Sequence, residues 1–197
     1  HLHPLHVEDC RHGKQRAKVE ESGDYIFVML KPVHVRDAGE LQITDLDLFL
    51  GHEYLITVQA GECPTLRDYL DHLRATPNQS RCDQLFYKIM DGVVDAYLPP
   101  LDWFNEAIDG IEDAVLERPS PAMLQTIFAA KHSLIEVRQL LSNTRDVAGH
   151  LQRLVTELIK RDLWPFLRDV YDHLARNLDM VEVQRDLLAG ECQGAQT

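Results

Sequence analysis

No stretch of this chain is apolar for long enough to cross a bilayer. Runs such as Ile26–Leu30 and Leu48–Leu50 fall far below the roughly 20 residues that a membrane helix needs, so the sequence by itself reads as soluble. Residues 1–12 carry histidine and charge where a secretory signal would need a basic start and an apolar core, and no such leader is expected. Cysteine is scarce too: Cys10, Cys63, Cys82 and Cys192 form no Cys-x-x-Cys pair. That spacing excludes a zinc ribbon and a disulfide framework, and it suits a reducing compartment. Positive charge is in deficit, with 20 Lys and Arg against 32 Asp and Glu and a formal charge of −12. Such a surface repels a phosphate backbone and favours cations, so nucleic acid is not an expected partner. There is no His-Glu-x-x-His, no phosphate-cradling glycine loop and no nucleophile motif, which argues against an enzyme. Asn78-Gln79-Ser80 fits a glycosylation sequon, a triplet too common by chance to carry weight.

What the chain does have is a core and a pattern. With 197 residues, 45% hydrophobic and 26% charged, it has the composition of a globular protein of one large or two small domains. From Asp24 to Gln59 the pattern is strand-like, with Tyr25–Val35, Leu41–Leu50 and about 54–59 as three antiparallel strands. Asp37-Ala38-Gly39-Glu40 and Gly51-His52-Glu53 are the polar connections between them. Short helices are predicted at Pro4–Cys10, with proline in the first turn, and at Thr65–Arg74, capped by Thr65 and ended before Pro77. Lys14-Gln15-Arg16-Ala17-Lys18-Val19-Glu20 reads as a basic turn leading into the first strand.

After about Asp83 the period becomes helical and stays so. Leu85, Ile89, Val93, Tyr97, Leu101, Phe104, Ile108, Ile111 and Val115 make one stripe at three- and four-residue steps. Pro99-Pro100 should bend that element without necessarily ending it. Glu117-Arg118-Pro119-Ser120-Pro121 marks a turn into a helix from Ala122 to about Leu154, which at 1.5 Å per residue would reach roughly 50 Å and needs partners along its length. A further helix starts near Trp164-Pro165, carries Leu167, Val170, Leu174, Leu178, Val181 and Leu188, and runs to a polar end at Gly190–Thr197. The fold class is therefore α+β and mostly helical: an α/β-type sheet domain, N-terminally incomplete, at 1–80, followed by a long-helix bundle at 81–197.

Candidate ligands follow from the charge. His1, His3, His6 and His12 suggest a metal site, but spacing alone fixes no geometry and they read better as a solvated terminus. Acidic residues recur along these helices at Asp91 and Asp95, Glu112 and Asp113, Asp169 and Asp172, Asp179 and Glu182, and Asp186, and spacings of three or four place pairs on one helix face. Taken singly such pairs are what a solvated helix face carries. Asp169 stands out because it lies between apolar positions in Leu167-Arg168-Asp169-Val170-Tyr171-Asp172-His173.

Five strings taken together resemble the cytoplasmic part of the CorA magnesium channel family. They are His3-Pro4-Leu5-x-x-Glu8-Asp9, Gln15-Arg16-x-Lys18-Val19-Glu20, Asp91-x-x-x-Asp95-x-Tyr97, Val115-Leu116-Glu117-Arg118-Pro119 and Arg168-Asp169-Val170-Tyr171-Asp172-His173. Their order and approximate spacing agree from His3 to about Gly190. The resemblance implies an α/β domain feeding a bundle whose last long helix continues into a pore, assembled as a homopentamer. It implies a cytoplasmic fragment of a protein of the cell inner membrane, with the earlier sheet strands before His1 and the two membrane helices and Gly-Met-Asn loop beyond Thr197. It also implies a regulatory Mg²⁺ site between subunits, with Asp9 of one facing Asp169 of the next, Glu8 and Asp91 at a second adjacent position, and Asp172 as a weaker ligand. Mg²⁺ is then both regulator and transported ion, with Co²⁺ or Zn²⁺ as alternatives, since a zinc-transporting branch shares the architecture. Without the resemblance, a soluble helical adaptor or scaffold is the reading that the long stripes favour.

Overall fold

The computed structural model describes residues 1–13, 15–36, 40–75, 81–117 and 121–194. The Asp37–Glu40 connection, the sequon at Asn78–Ser80 and the turn at Glu117–Pro121 fall wholly or largely outside them.

The chain opens with helix α1, Pro4–His12, which takes proline at its first position and ends at Gly13 in the left-handed conformation, φ 51°. Six strands follow: β1 Lys18–Ser22, β2 Tyr25–Leu30, β3 Val33–Val35, β4 Leu41–Ile43, β5 Asp45–Gly51 and β6 Leu55–Ala60. Four of them make an antiparallel sheet in the order β1-β2-β5-β6, while β3 and β4 form a separate two-stranded ribbon.

Two departures from the sequence reading have plain causes. The expected basic turn is the edge strand β1, whose Lys18, Glu20 and Glu21 give it no apolar alternation to read. Pairing with β2, from Lys18 opposite Met29 to Ser22 opposite Tyr25, is what makes it a strand. The expected strands 25–35 and 41–50 are each split in two at Lys31-Pro32 and Thr44. Proline has no N–H for the ladder, and the Thr44 N–H donates instead to the Pro32 carbonyl oxygen at 3.0 Å.

All six residues of β2 are buried, which explains an apolar run without alternation: both faces of the strand are covered. Ile26, Val28 and Leu30 enter the main core with the helices. Tyr25, Phe27 and Met29 join Phe49 in a smaller cluster on the opposite face, where the His6 ring of α1 stacks on Phe27 with centroids 4.5 Å apart.

Five α-helices follow among the described residues: α2 Pro64–Ala75, α3 Cys82–Asp95, α4 Leu98–Glu117, α5 Pro121–Arg153 and α6 Trp164–Gly194. The long stripe from Ile89 to Ile111 is buried as its period requires, with Leu85 half-buried at its start, but it belongs to two helices rather than one bent one. Helix α3 stops at Asp95, and α4 restarts at Leu98, so that Pro99 and Pro100 occupy its first turn. Prolines there forfeit no hydrogen bond, because the first N–H groups of a helix have no intrahelical partner. Tyr97 fills the joint. It is fully buried, and its hydroxyl donates to the Lys31 carbonyl oxygen at 2.9 Å and lies 3.1 Å from Thr144 Oγ1 on α5.

Helices α5 and α6 run antiparallel, since Gln152 Nε2 donates to the Leu167 carbonyl oxygen, Arg138 pairs with Glu182, and Gly149 abuts Tyr171. The link between them is pinned to α3. Asp83 accepts the Lys160 N–H at 3.0 Å and pairs with Arg81, which reaches on to Asp162. One apolar cluster runs from the sheet through all the long helices. None of the described helices is long and apolar enough to cross a membrane.

Candidate divalent-cation site

The acidic pattern of α3 and α6 converges at one place. Asp91 and Asp95 stand one turn apart on α3, and His173 faces them from α6; one carboxylate oxygen from each aspartate and one ring nitrogen lie within 4.8 Å of one another. Asp169, a turn before His173 on α6, places an oxygen 3.5 Å from His173 Nε2. Helices α3 and α6 run parallel, with Tyr87 beside Phe166 and Asp91 and Asp95 beside His173, and their packing joins residues far apart in the chain.

The environment is electrostatically strained. Burial, then the neighbouring charge of Asp95, pushes the Asp91 carboxyl above the ordinary carboxylate value, and the hydrogen bond from Tyr87 only partly offsets this. The Tyr87 hydroxyl donates to Asp91 at 3.2 Å, and burial together with the Asp91 charge pushes its pKa up to about 12. Tyr87 also packs on Phe166 of α6 with ring centroids 5.3 Å apart, which closes one side of the cluster with aromatic surface.

The second group of sequence-predicted ligands sits on α1 and keeps different company. Asp9 is 14% exposed at its side chain and pairs with Lys18 Nζ at 2.7 Å, while accepting also from Gln15. Glu8 is exposed and stands 3.6 Å from His12 Nε2. Among the contacts of the described residues Asp9 and Asp169 share no partner. Asp172 is exposed and lies outside the cluster.

Sequence reasoning named Asp91 and Asp169 as ligands and left out Asp95 and His173. The four-residue steps Asp91 to Asp95 and Asp169 to His173 are the signal that could have found them, since such pairs share a helix face. His6 departs from the expectation of a solvated terminus. It is 5% exposed, with Nδ1 2.8 Å from the Tyr25 hydroxyl and Nε2 2.9 Å from Glu20. An apolar floor of Phe27 and an edge-strand carboxylate draw it in, neither of which is visible from its neighbours in sequence.

Two carboxylates with a third beside them make a hard oxygen-rich set, the kind that holds Mg²⁺ directly or through its retained waters. The imidazole admits Co²⁺ and Zn²⁺ as well. These features define the class as a sheet-and-bundle domain of strong negative charge with an acidic cluster where two helices meet. Specifically, the chain belongs to the CorA family: the family model described as CorA-like Mg2+ transporter protein matches residues 1–190.

The chain is 33% identical over 193 residues to the cobalt/magnesium transport protein CorA of Thermotoga maritima, a match covering 96% of this chain and 55% of that protein. It is 26% identical over 189 residues to the putative metal ion transporter YfjQ of Bacillus subtilis, covering 95% of this chain and 58% of that one. It thus spans a little over half the length of these curated relatives. The CorA magnesium transporter of Methanocaldococcus jannaschii has the same fold, with a TM-score of 0.87 at 15% identity over 98% of this chain and 61% of that one. So does the ZntB cytoplasmic domain of Vibrio parahaemolyticus, with a TM-score of 0.85 at 13% identity over 100% of this chain and 78% of that one.

Proposed function

We propose that this chain is the cytoplasmic, metal-sensing part of a CorA-type divalent-cation channel of the inner membrane, pentameric when full-length, in which bound Mg²⁺ bridges neighbouring subunits and restrains the pore. The observation that carries the reading is the grouping of Asp91, Asp95 and His173 beside Asp169 on a solvent-open face, in a member of a transporter family. Three ligands leave coordination positions free, and a neighbour's Glu8 and Asp9 would supply the complementary carboxylates: Asp9 toward Asp169, Glu8 toward Asp91, with Asp172 at the margin. The sheet part, 1–80, presents the first pair and the helical part, 81–197, the second group. Without the ion these groups repel, and two unit charges at 4 Å cost about 4 kcal/mol at an effective dielectric of 20. Loss of Mg²⁺ would therefore loosen the ring and shift its population toward open states.

The imidazole of His173 favours one second reading, a chain of the zinc-transporting branch, because nitrogen suits Zn²⁺ better than Mg²⁺. Sedimentation of the chain with and without millimolar Mg²⁺, and again with Zn²⁺, tests both. A metal-linked rise in mass that is absent from an Asp91→Asn/Asp95→Asn variant is the expected result. In the full-length channel, Asp9→Ala with Asp169→Ala should abolish magnesium inhibition; inhibition left intact would overturn the subunit-bridging assignment.

A further inference from the structure

One residue is bonded both to the end of the helix that carries one acidic group and to the joint after the helix that carries the other. Lys31 follows β2 and is 6% exposed. Its ammonium donates to the Gly13 carbonyl oxygen at 2.9 Å and pairs with Asp45. Its main-chain carbonyl oxygen accepts the Tyr97 hydroxyl at 2.9 Å. Gly13 is the C-cap of α1, the helix that carries Glu8 and Asp9. Tyr97 is the joint immediately after α3, the helix that carries Asp91 and ends at Asp95. The side chain of Lys31 thus holds the end of the helix that carries one half of the proposed site, and its backbone is tied to the joint after the helix that carries part of the other.

Packing alone does not ask for a lysine here. A buried ammonium costs several kcal/mol of desolvation, which a hydrophobic side chain of similar volume would avoid. What the charge adds is direction: it fixes the end of a nine-residue helix on the sheet. Other polar ties of α1 run from His6 to Tyr25 and Glu20, from Asp9 to Lys18 and from Cys10 to Asp47, and Lys31 holds the C-cap beyond them. Gly13 seals the arrangement, since a Cβ there would stand 2.9 Å from Asp45 Oδ2.

We propose that Lys31 is a positioning residue for cation binding, which sets the separation between the α1 acidic pair and the Asp91–Asp95–His173 cluster within each subunit. This rests on the function proposed above. In a closed ring built from head-to-tail interfaces, each subunit offers one half-site to each neighbour. The distance between its own two half-sites must then match the repeat of the ring, and any slack in α1 recurs at every interface.

The test uses the full-length channel and two readouts, Mg²⁺ affinity by calorimetry and amide hydrogen exchange along α1. Lys31→Met should speed exchange in α1, leave α5 and α6 protected, and weaken Mg²⁺ binding by about 10- to 100-fold, the range for residues that orient metal ligands. Lys31→Met/Asp45→Asn also removes the charge of the carboxylate that Lys31 pairs with and should behave alike; it decides the matter if the single variant does not fold. Wild-type Mg²⁺ affinity in a folded variant, or weakened binding with α1 exchange unchanged, would overturn the role of Lys31 alone. A wild-type channel that binds no Mg²⁺ would overturn the underlying function as well.

Discussion

Replacing Asp95 by asparagine should stabilise the metal-free chain and remove most of its response to Mg²⁺. Asp91 and Asp95 bring carboxylate oxygens within 4.8 Å of each other; at that separation two unit charges repel by about 3.5 kcal/mol at an effective dielectric of 20 and by about 0.9 kcal/mol in water. Asp95 is exposed, so the lower figure governs and about 1 kcal/mol is the expected gain. For a chain of this size that is a rise in Tm of about 2–4 °C in EDTA near pH 7.5. The order changes when the cation is added. A ligand at ten times its Kd stabilises by about 1.4 kcal/mol, which the wild type should gain and Asp95→Asn should largely lose.

The pH dependence carries a sign of its own. Burial and the Asp95 charge raise the Asp91 carboxyl above its unfolded value, so the penalty is absent below the ordinary carboxylate range and grows as pH rises through the folded value. Asp95→Asn should flatten that slope in thermal melts taken across mildly acidic pH. The reasoning fails if the variant melts below the wild type in EDTA, or if Mg²⁺ raises both by the same amount.

Two structural predictions accompany it. Gly13→Ala should cost about 1–2 kcal/mol, the penalty for a left-handed backbone at a residue with a Cβ, and the crowding against Asp45 should make α1 the first element to lose protection from hydrogen exchange. Asp83→Asn should cost about 1.5–3 kcal/mol in urea unfolding at pH 7, as hydrogen bonds to a charged group are lost. Although burial pushes the Asp83 carboxyl up, Arg81 and the Lys160 and Gln84 N–H groups hold it below the ordinary value. That stability is present above the unfolded pKa and is lost as pH falls through the folded one, so the gap between wild type and Asp83→Asn should close in acid; a gap that persists would mean the loss was one of packing.

Local periodicity carried much of the fold. The helix expected at Ala122 to about Leu154 is Pro121–Arg153, and the one expected near Trp164 begins there, because the three- and four-residue apolar steps that define a helix are written in consecutive residues. Proline misled in one place and was overlooked in another. At Pro99-Pro100 the break falls before the pair, where the first turn accepts them, and at Pro32 the strand ends because the ladder lacks a donor. The five strings that resemble the CorA family were legible for the same reason as the helices, being short, local and in order.

By itself, then, the sequence determined the helices, most of the antiparallel strands, the strong negative charge, and the family. Tertiary structure decided the rest. The charged segment Lys18–Ser22 is a strand only because β2 offers it a partner, and His6 is buried only because Phe27 and Glu20 lie beneath it. Asp91 and Asp95 meet His173 only because α3 packs on α6. Lys31 serves α1 and the α3 joint together only because its backbone and its side chain point to different neighbours. A carboxylate's own sequence neighbours cannot say which charge will stand beside it, since that depends on where distant segments of the chain come to rest.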